Sequence, residues 1–190
     1  MPLFSLTPTA ILLAVLAGLP LIGGHSPAQA ASAEEALALM RSPVAGDRTL
    51  NDMMGVWKGN GTLRQTPGAR EEAVRCRLTN QWAASQTLMK MQLACIAVDY
   101  RFTATGHIGR EGSAYRGAWT TSLGQRAVAA GRRSGGGLAL SFTSRDSRTG
   151  QAVQSNMAIR LGGRSMTNTL TRTDPDTGQR YTALTVSLQR

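Results

Sequence analysis

Val74-Arg-Cys-Arg-Leu-Thr-Asn-Gln-Trp82 and Met89-Lys-Met-Gln-Leu-Ala-Cys-Ile-Ala97, joined by Ala83-Ala-Ser-Gln-Thr-Leu88, decide the fold. Both runs alternate apolar with polar, the period of a strand with one buried face. Antiparallel partners in a hairpin have residue numbers of constant sum, and residues opposite each other share a face. A turn centred on Ser85-Gln86 sets Trp82 against Met89, Asn80 against Met91, Leu78 against Leu93, Cys76 against Cys95 and Val74 against Ala97. A slip of one residue would send every one of these side chains to the other face. The chain's only two cysteines fall opposite each other, which predicts a Cys76–Cys95 disulfide.

The same reading extends in both directions. Around Gln65–Gly68 it pairs Leu63 with Val74 and Trp57 with Asn80; around Val98-Asp99, Cys95 with Phe102 and Met89 with Ile108. A turn at Arg110-Glu111 brings Phe102 to Trp119, Leu123-Gly124 brings Trp119 to Val128, and Ser134-Gly135 brings Val128 to Leu140. Beyond Arg148–Gly150, Phe142 nears Val153. Gly162-Gly163 sets Met157 against Asn168, and Asp174–Gly178 sets Leu170 against Leu184 and Met166 against Leu188. Gly, Pro, Asn and Asp occupy most of these turns, where positive φ or a preset φ is needed. The expected fold is all-β: one antiparallel up-and-down meander of about ten strands, residues 54–190, without repeats or a second domain.

Ten strands let the first and last pair antiparallel, and closing into a barrel removes both edges. Trp57 would then approach Leu188 and Arg190. The apolar set faces inward while Arg75, Arg77, Lys90, Arg101 and Arg116 face outward. This is the reverse of a lipid-facing barrel, so the expectation is a soluble domain.

Gly55-Val56-Trp57 opening the first strand, with Arg190 late in the last, resembles the calycin superfamily of lipocalins, fatty-acid-binding proteins and avidins. In that group a G-x-W strand and a terminal-strand arginine close one barrel end. The resemblance implies that Trp57 and Arg190 do so here, and that the interior takes a ligand. The whole pattern also resembles small exported alphaproteobacterial proteins, which implies no particular activity.

Ahead of the strands, the apolar run Ala10–Ile22 followed by Ala28-Gln29-Ala30 reads as a signal peptide cleaved after Ala30. The run is short for a bilayer span and is broken by Pro20, Gly23 and Gly24. The expected location is periplasmic or secreted, with no membrane span left after cleavage, in an oxidising compartment where paired thiols form disulfides. Residues 31–53 form a lead-in with a short helix at 32–41, capped by Ser32 with Glu35 completing the box. Pro43 and Gly46 end it. Removal of residues 1–30 leaves 160 of the 190 residues, enough for one domain with a core. The formal charge is +10, and of the 21 basic residues all but Lys58 and Lys90 are arginines. They are scattered rather than gathered into the stripe that nucleic acid requires, so no nucleic-acid partner is expected. An anionic lipid or polymer of the cell envelope suits such a protein better.

Catalytic chemistry finds little support. The mature chain has one histidine, His107, on an outward position, and no nucleophile elbow. Asp174-Pro175-Asp176-Thr177-Gly178 reads as a turn rather than a calcium loop. The expectation is a non-enzymatic barrel without cofactor or metal. Inside it, Trp57, Asn80, Trp82, Met89, Met91, Trp119, Met157 and Asn168 are the candidate ligand-binding residues. Methionine and tryptophan give adaptable apolar surface, and the two asparagines need polar partners. Ala104, Gly106 and Gly117 leave room beside them. A small apolar or amphipathic molecule is the expected ligand, and the exposed arginines on an anionic surface are the alternative mode of action.

Overall fold

A computed structural model describes residues 47–146 and 150–190. The expected signal peptide and the helix at 32–41 lie outside the described residues. The chain enters through a short helix, α1 (Arg48–Met53), and then forms β1 (Gly55–Leu63), β2 (Glu72–Trp82), β3 (Leu88–Ile96), β4 (Arg101–Glu111), β5 (Ala114–Thr121), β6 (Arg126–Ser134), β7 (Gly137–Arg145), β8 (Ala152–Gly162), β9 (Ser165–Thr173) and β10 (Arg180–Gln189). Each strand pairs antiparallel with the next, and β1 pairs with β10, so the meander closes into a ten-stranded barrel.

The β2–β3 register is the one read from the sequence: Trp82 with Met89, Asn80 with Met91, Leu78 with Leu93 and Cys76 with Cys95. Cys76 and Cys95 form a disulfide inside the barrel, across 19 residues of sequence. In the loop-entropy account a bridge of that span stabilises by about 3 kcal/mol. The Cys76→Ala/Cys95→Ala double variant is therefore expected to lose about that much in urea unfolding, whereas an unchanged midpoint would show that the bridge constrains nothing the strands do not already hold.

The β3–β4 and β9–β10 registers also match expectation, with Cys95 opposite Phe102, Leu170 opposite Leu184 and Met166 opposite Leu188. Other pairings differ. β1–β2, β7–β8 and β8–β9 are displaced by two residues, so that Trp57 meets Leu78, Phe142 meets Ser155 and Met157 meets Leu170. A shift of two keeps each face intact. β4–β5 is displaced by four because the turn lies at Gly112-Ser113, where Gly112 adopts φ 58°, and Trp119 consequently meets Gly106. The expected Trp119–Val128 and Val128–Leu140 pairs do not form. β5–β6 slips by a single residue, which places Ala127 opposite Trp119 and turns Val128 outward, 63% exposed.

The two barrel ends differ. At the end where β1 begins, α1 lies across the opening and buries Leu50 and Met53. Its N-cap Asp47 accepts a hydrogen bond from the Leu50 backbone N–H (2.9 Å) and another from the Tyr115 hydroxyl (2.7 Å), with Arg110 Nη1 at 3.4 Å. Burial and the Asp47 hydrogen bond push the Tyr115 hydroxyl pKa up. Gly55, at φ 105°, turns the chain from helix into β1, a conformation side chains rarely adopt. That is a physical reason for the glycine of the Gly-x-Trp element. At the opposite end, among the described residues, only connecting loops flank the opening. Among the described residues no helix is long and apolar enough to cross a membrane.

Candidate functional site

The interior divides into a filled half and a hollow half. In the filled half Trp57 is fully buried, and its Nε1 donates to the Met53 carbonyl (2.8 Å). Asn80 Nδ2 donates to the same carbonyl (2.7 Å). This oxygen belongs to the last residue of α1 and has no partner within the helix, so two side chains of the barrel tie the plug down. Arg190 lies over Trp57 with Cζ 4.7 Å from the ring centroid, and its Nη1 donates to the carbonyls of Asp52 (3.3 Å) and Met54 (3.2 Å). Trp57 and Arg190 thus meet at the closed end.

In the hollow half lies a cavity of about 160 Å³ that reaches the unplugged end. Its body is apolar: Leu78, Leu93, Leu140, Phe142 and Leu170 line it together with Met91, Trp119 and Met157. Trp119 meets Phe142 edge-on, with centroids 5.1 Å apart and planes at 71°. The Trp119 indole lies over Gly106 and Gly117, where a methyl group would strike the ring. These glycines accommodate the indole rather than leaving open space. The polar lining consists of Asn168 at mid-barrel and Thr121, Gln125, Ser144, Ser155 and Arg172 towards the mouth. Asn168 is 5% exposed, and its Oδ1 has no hydrogen-bond partner; nor does the buried Thr121 Oγ1. An unsatisfied buried polar atom costs roughly 1–3 kcal/mol. Both oxygens belong to residues that line this one cavity.

Of the eight residues singled out from the sequence, Met91, Trp119, Met157 and Asn168 line the cavity. Trp57, Asn80, Trp82 and Met89 belong to the filled half, packed with α1 and its neighbours rather than facing free space. Among the lining residues outside that set are Phe102, Gln125 and Arg172. Phe102 and Arg172 sit on inward-parity positions near strand ends and were legible as such, while Gln125 enters from a loop and carried no signal. His107 is exposed on the outer wall. Among the described residues no group of three or more His, Cys, Asp or Glu gathers as for a metal. Asp174 Oδ1 accepts from the Thr177 hydroxyl and from the Thr177 and Asp176 backbone N–H groups. These bonds, Thr177 foremost, hold its carboxyl below the usual range and organise the turn read from the sequence.

No family model matches the chain, and no curated protein does. Among solved structures it is similar to the crystal structure of Rv2717c from M. tuberculosis, with a TM-score of 0.60 and 15% identity over 74% of this chain and 94% of that one. At that identity the likeness is one of fold.

Proposed function

We propose that this is an exported, non-enzymatic, calycin-like barrel that holds a small apolar or amphipathic molecule in its hollow half. The observation that carries this reading is the cavity itself: apolar walls, one plugged end, one open end, and buried polar oxygens without partners in its lining. Its size supports a small ligand, since apolar cavities of roughly 150 Å³ accept a single benzene-sized molecule. The disulfide suggests a location outside the cytoplasm, which agrees with the signal peptide read from the sequence.

Titration of the mature chain with small aromatic probes is expected to quench Trp119 fluorescence and to raise Tm by several degrees at saturation. Leu170→Trp, which fills the hollow, is expected to weaken binding at least tenfold while the fold survives. Wild-type binding by that variant would place the ligand elsewhere.

A second reading rests on the outer wall. Each strand from β1 to β8 presents at least one exposed cation, among them Lys58, Arg77, Lys90, Arg116, Arg132 and Arg160. The described acidic residues lie on the plug, in loops or at strand ends. Lys58 even stands directly opposite Arg77, an arrangement that destabilises a sheet. A wall of this kind suits an anionic envelope lipid or polymer. Co-sedimentation with phosphatidylglycerol vesicles is expected to fall steeply between low and physiological salt; binding indifferent to salt would reject this reading.

A further inference from the structure

The cavity's polar groups specify the chemistry of its occupant beyond size. Arg172 lines the mouth, on the penultimate residue of β9, with Ser155 as its register partner on β8. It is partly buried and makes no ion pair with any described residue, since the four ion pairs found involve Arg48, Arg64, Arg110 and Arg116. Asp174, the acidic group that interacts with it electrostatically, has its Oδ1 committed to the 174–178 turn. Arg172 therefore brings a positive charge to the lining of a largely apolar pocket without an ion pair to any described residue. Arginine is suited to carboxylates, which it binds with two parallel hydrogen bonds.

Deeper, on the same inward face of β9, lies Asn168 with its unpartnered Oδ1. Four residue steps along the strand separate the two, about 13 Å along the backbone. Leu170 stands between them with Met157 opposite it in register, and the Trp119–Phe142 pair lines the same cavity, a surface that fits an aromatic ring.

We propose that the ligand is a small aromatic carboxylic acid carrying a hydroxyl opposite its carboxylate. The carboxylate sits at Arg172, the ring sits against Trp119 and Phe142, and the hydroxyl donates to Asn168. This rests on the cavity reading above and narrows it to one chemical class. A bare hydrocarbon of the same size leaves the Asn168 oxygen unsatisfied, and that is the basis of discrimination.

The test is a set of three probes, 4-hydroxybenzoate, 4-methylphenol and benzoate, titrated by calorimetry against the mature chain and its Arg172→Met and Asn168→Leu variants. In the wild type 4-hydroxybenzoate is expected to bind at least tenfold more tightly than either analogue. Arg172→Met should remove the advantage of the carboxylate, weakening 4-hydroxybenzoate and benzoate roughly tenfold or more and leaving 4-methylphenol unchanged. Asn168→Leu should weaken the two phenols and spare benzoate. The inference is overturned, with the cavity reading intact, if 4-methylphenol binds as well as 4-hydroxybenzoate or if Arg172→Met leaves the carboxylate advantage in place. If none of the probes binds and none shifts Tm, the cavity reading falls as well.

Discussion

Substituting alanine for Gly59 is expected to open the barrel at its seam, with a loss of at least about 3 kcal/mol. β1 and β10 are joined only by tertiary contact, running from Lys58 opposite Gln189 to Leu63 opposite Leu184. Gly59 and Gly61 face this junction, and a methyl group on Gly59 would land on the Ser187 carbonyl and the Leu188 Cα. Those are backbone atoms of the partner strand, so no rotamer change relieves the overlap. Either β10 moves away or the seam hydrogen bonds lengthen, and both expose unpaired strand edges. The control is Gly68→Ala: Gly68 lies in the β1–β2 connection, with no positive φ and nothing within 4 Å of an added methyl. Its effect should stay within about 0.5 kcal/mol. Thermal melts of the two variants decide the matter; equal Tm values would show that the seam tolerates the methyl group.

Trp57→Ala should cost about 3–5 kcal/mol, a large part of the roughly 5–15 kcal/mol by which domains of this kind are stable. The ring is fully buried, holds the Met53 carbonyl through Nε1, and carries the Arg190 guanidinium on its face. Its loss opens a void beneath α1 and removes one of the two side-chain donors to the end of the helix. Trp57→Phe keeps an aromatic body while deleting the donor, and should lose much less, because Asn80 Nδ2 still satisfies the same oxygen. Urea unfolding distinguishes the two variants: a shift of midpoint at constant slope is the expected signature. If alanine and phenylalanine behaved alike, the stability of the plug would rest on the hydrogen bond rather than on the buried ring.

How far the chain could be read in advance varied with the turns. The Cys76–Cys95 hairpin was legible because five facing pairs, the two cysteines among them, all demand one register. β9–β10 was legible because Asp174-Pro175-Asp176-Thr177-Gly178 marks its own turn. β4–β5 was not, because Arg110-Glu111 and Gly112-Ser113 stand side by side and only the second supplies a positive φ. Val128 shows the same ambiguity at β5–β6, where one residue in the loop length decides which face a side chain occupies. At the site, the sequence named the lining residues Met91, Trp119, Met157 and Asn168 together with four that pack into the filled half. Inward parity selects both sets equally, and position along the barrel axis separates them.

Alternation and turn chemistry by themselves determined the strand count, the disulfide, and the inward and outward faces of the strands other than β6, because each of these follows from local period and pairing parity. That α1 is the stopper, and so where space remains, was decided only by tertiary structure. That outcome depends on Asp47 reaching Tyr115 across 68 residues of sequence and on the Met53 carbonyl receiving Trp57 and Asn80. No period or motif records contacts between groups so far apart in the chain; they exist once the barrel has closed and brought its first residues over its own opening.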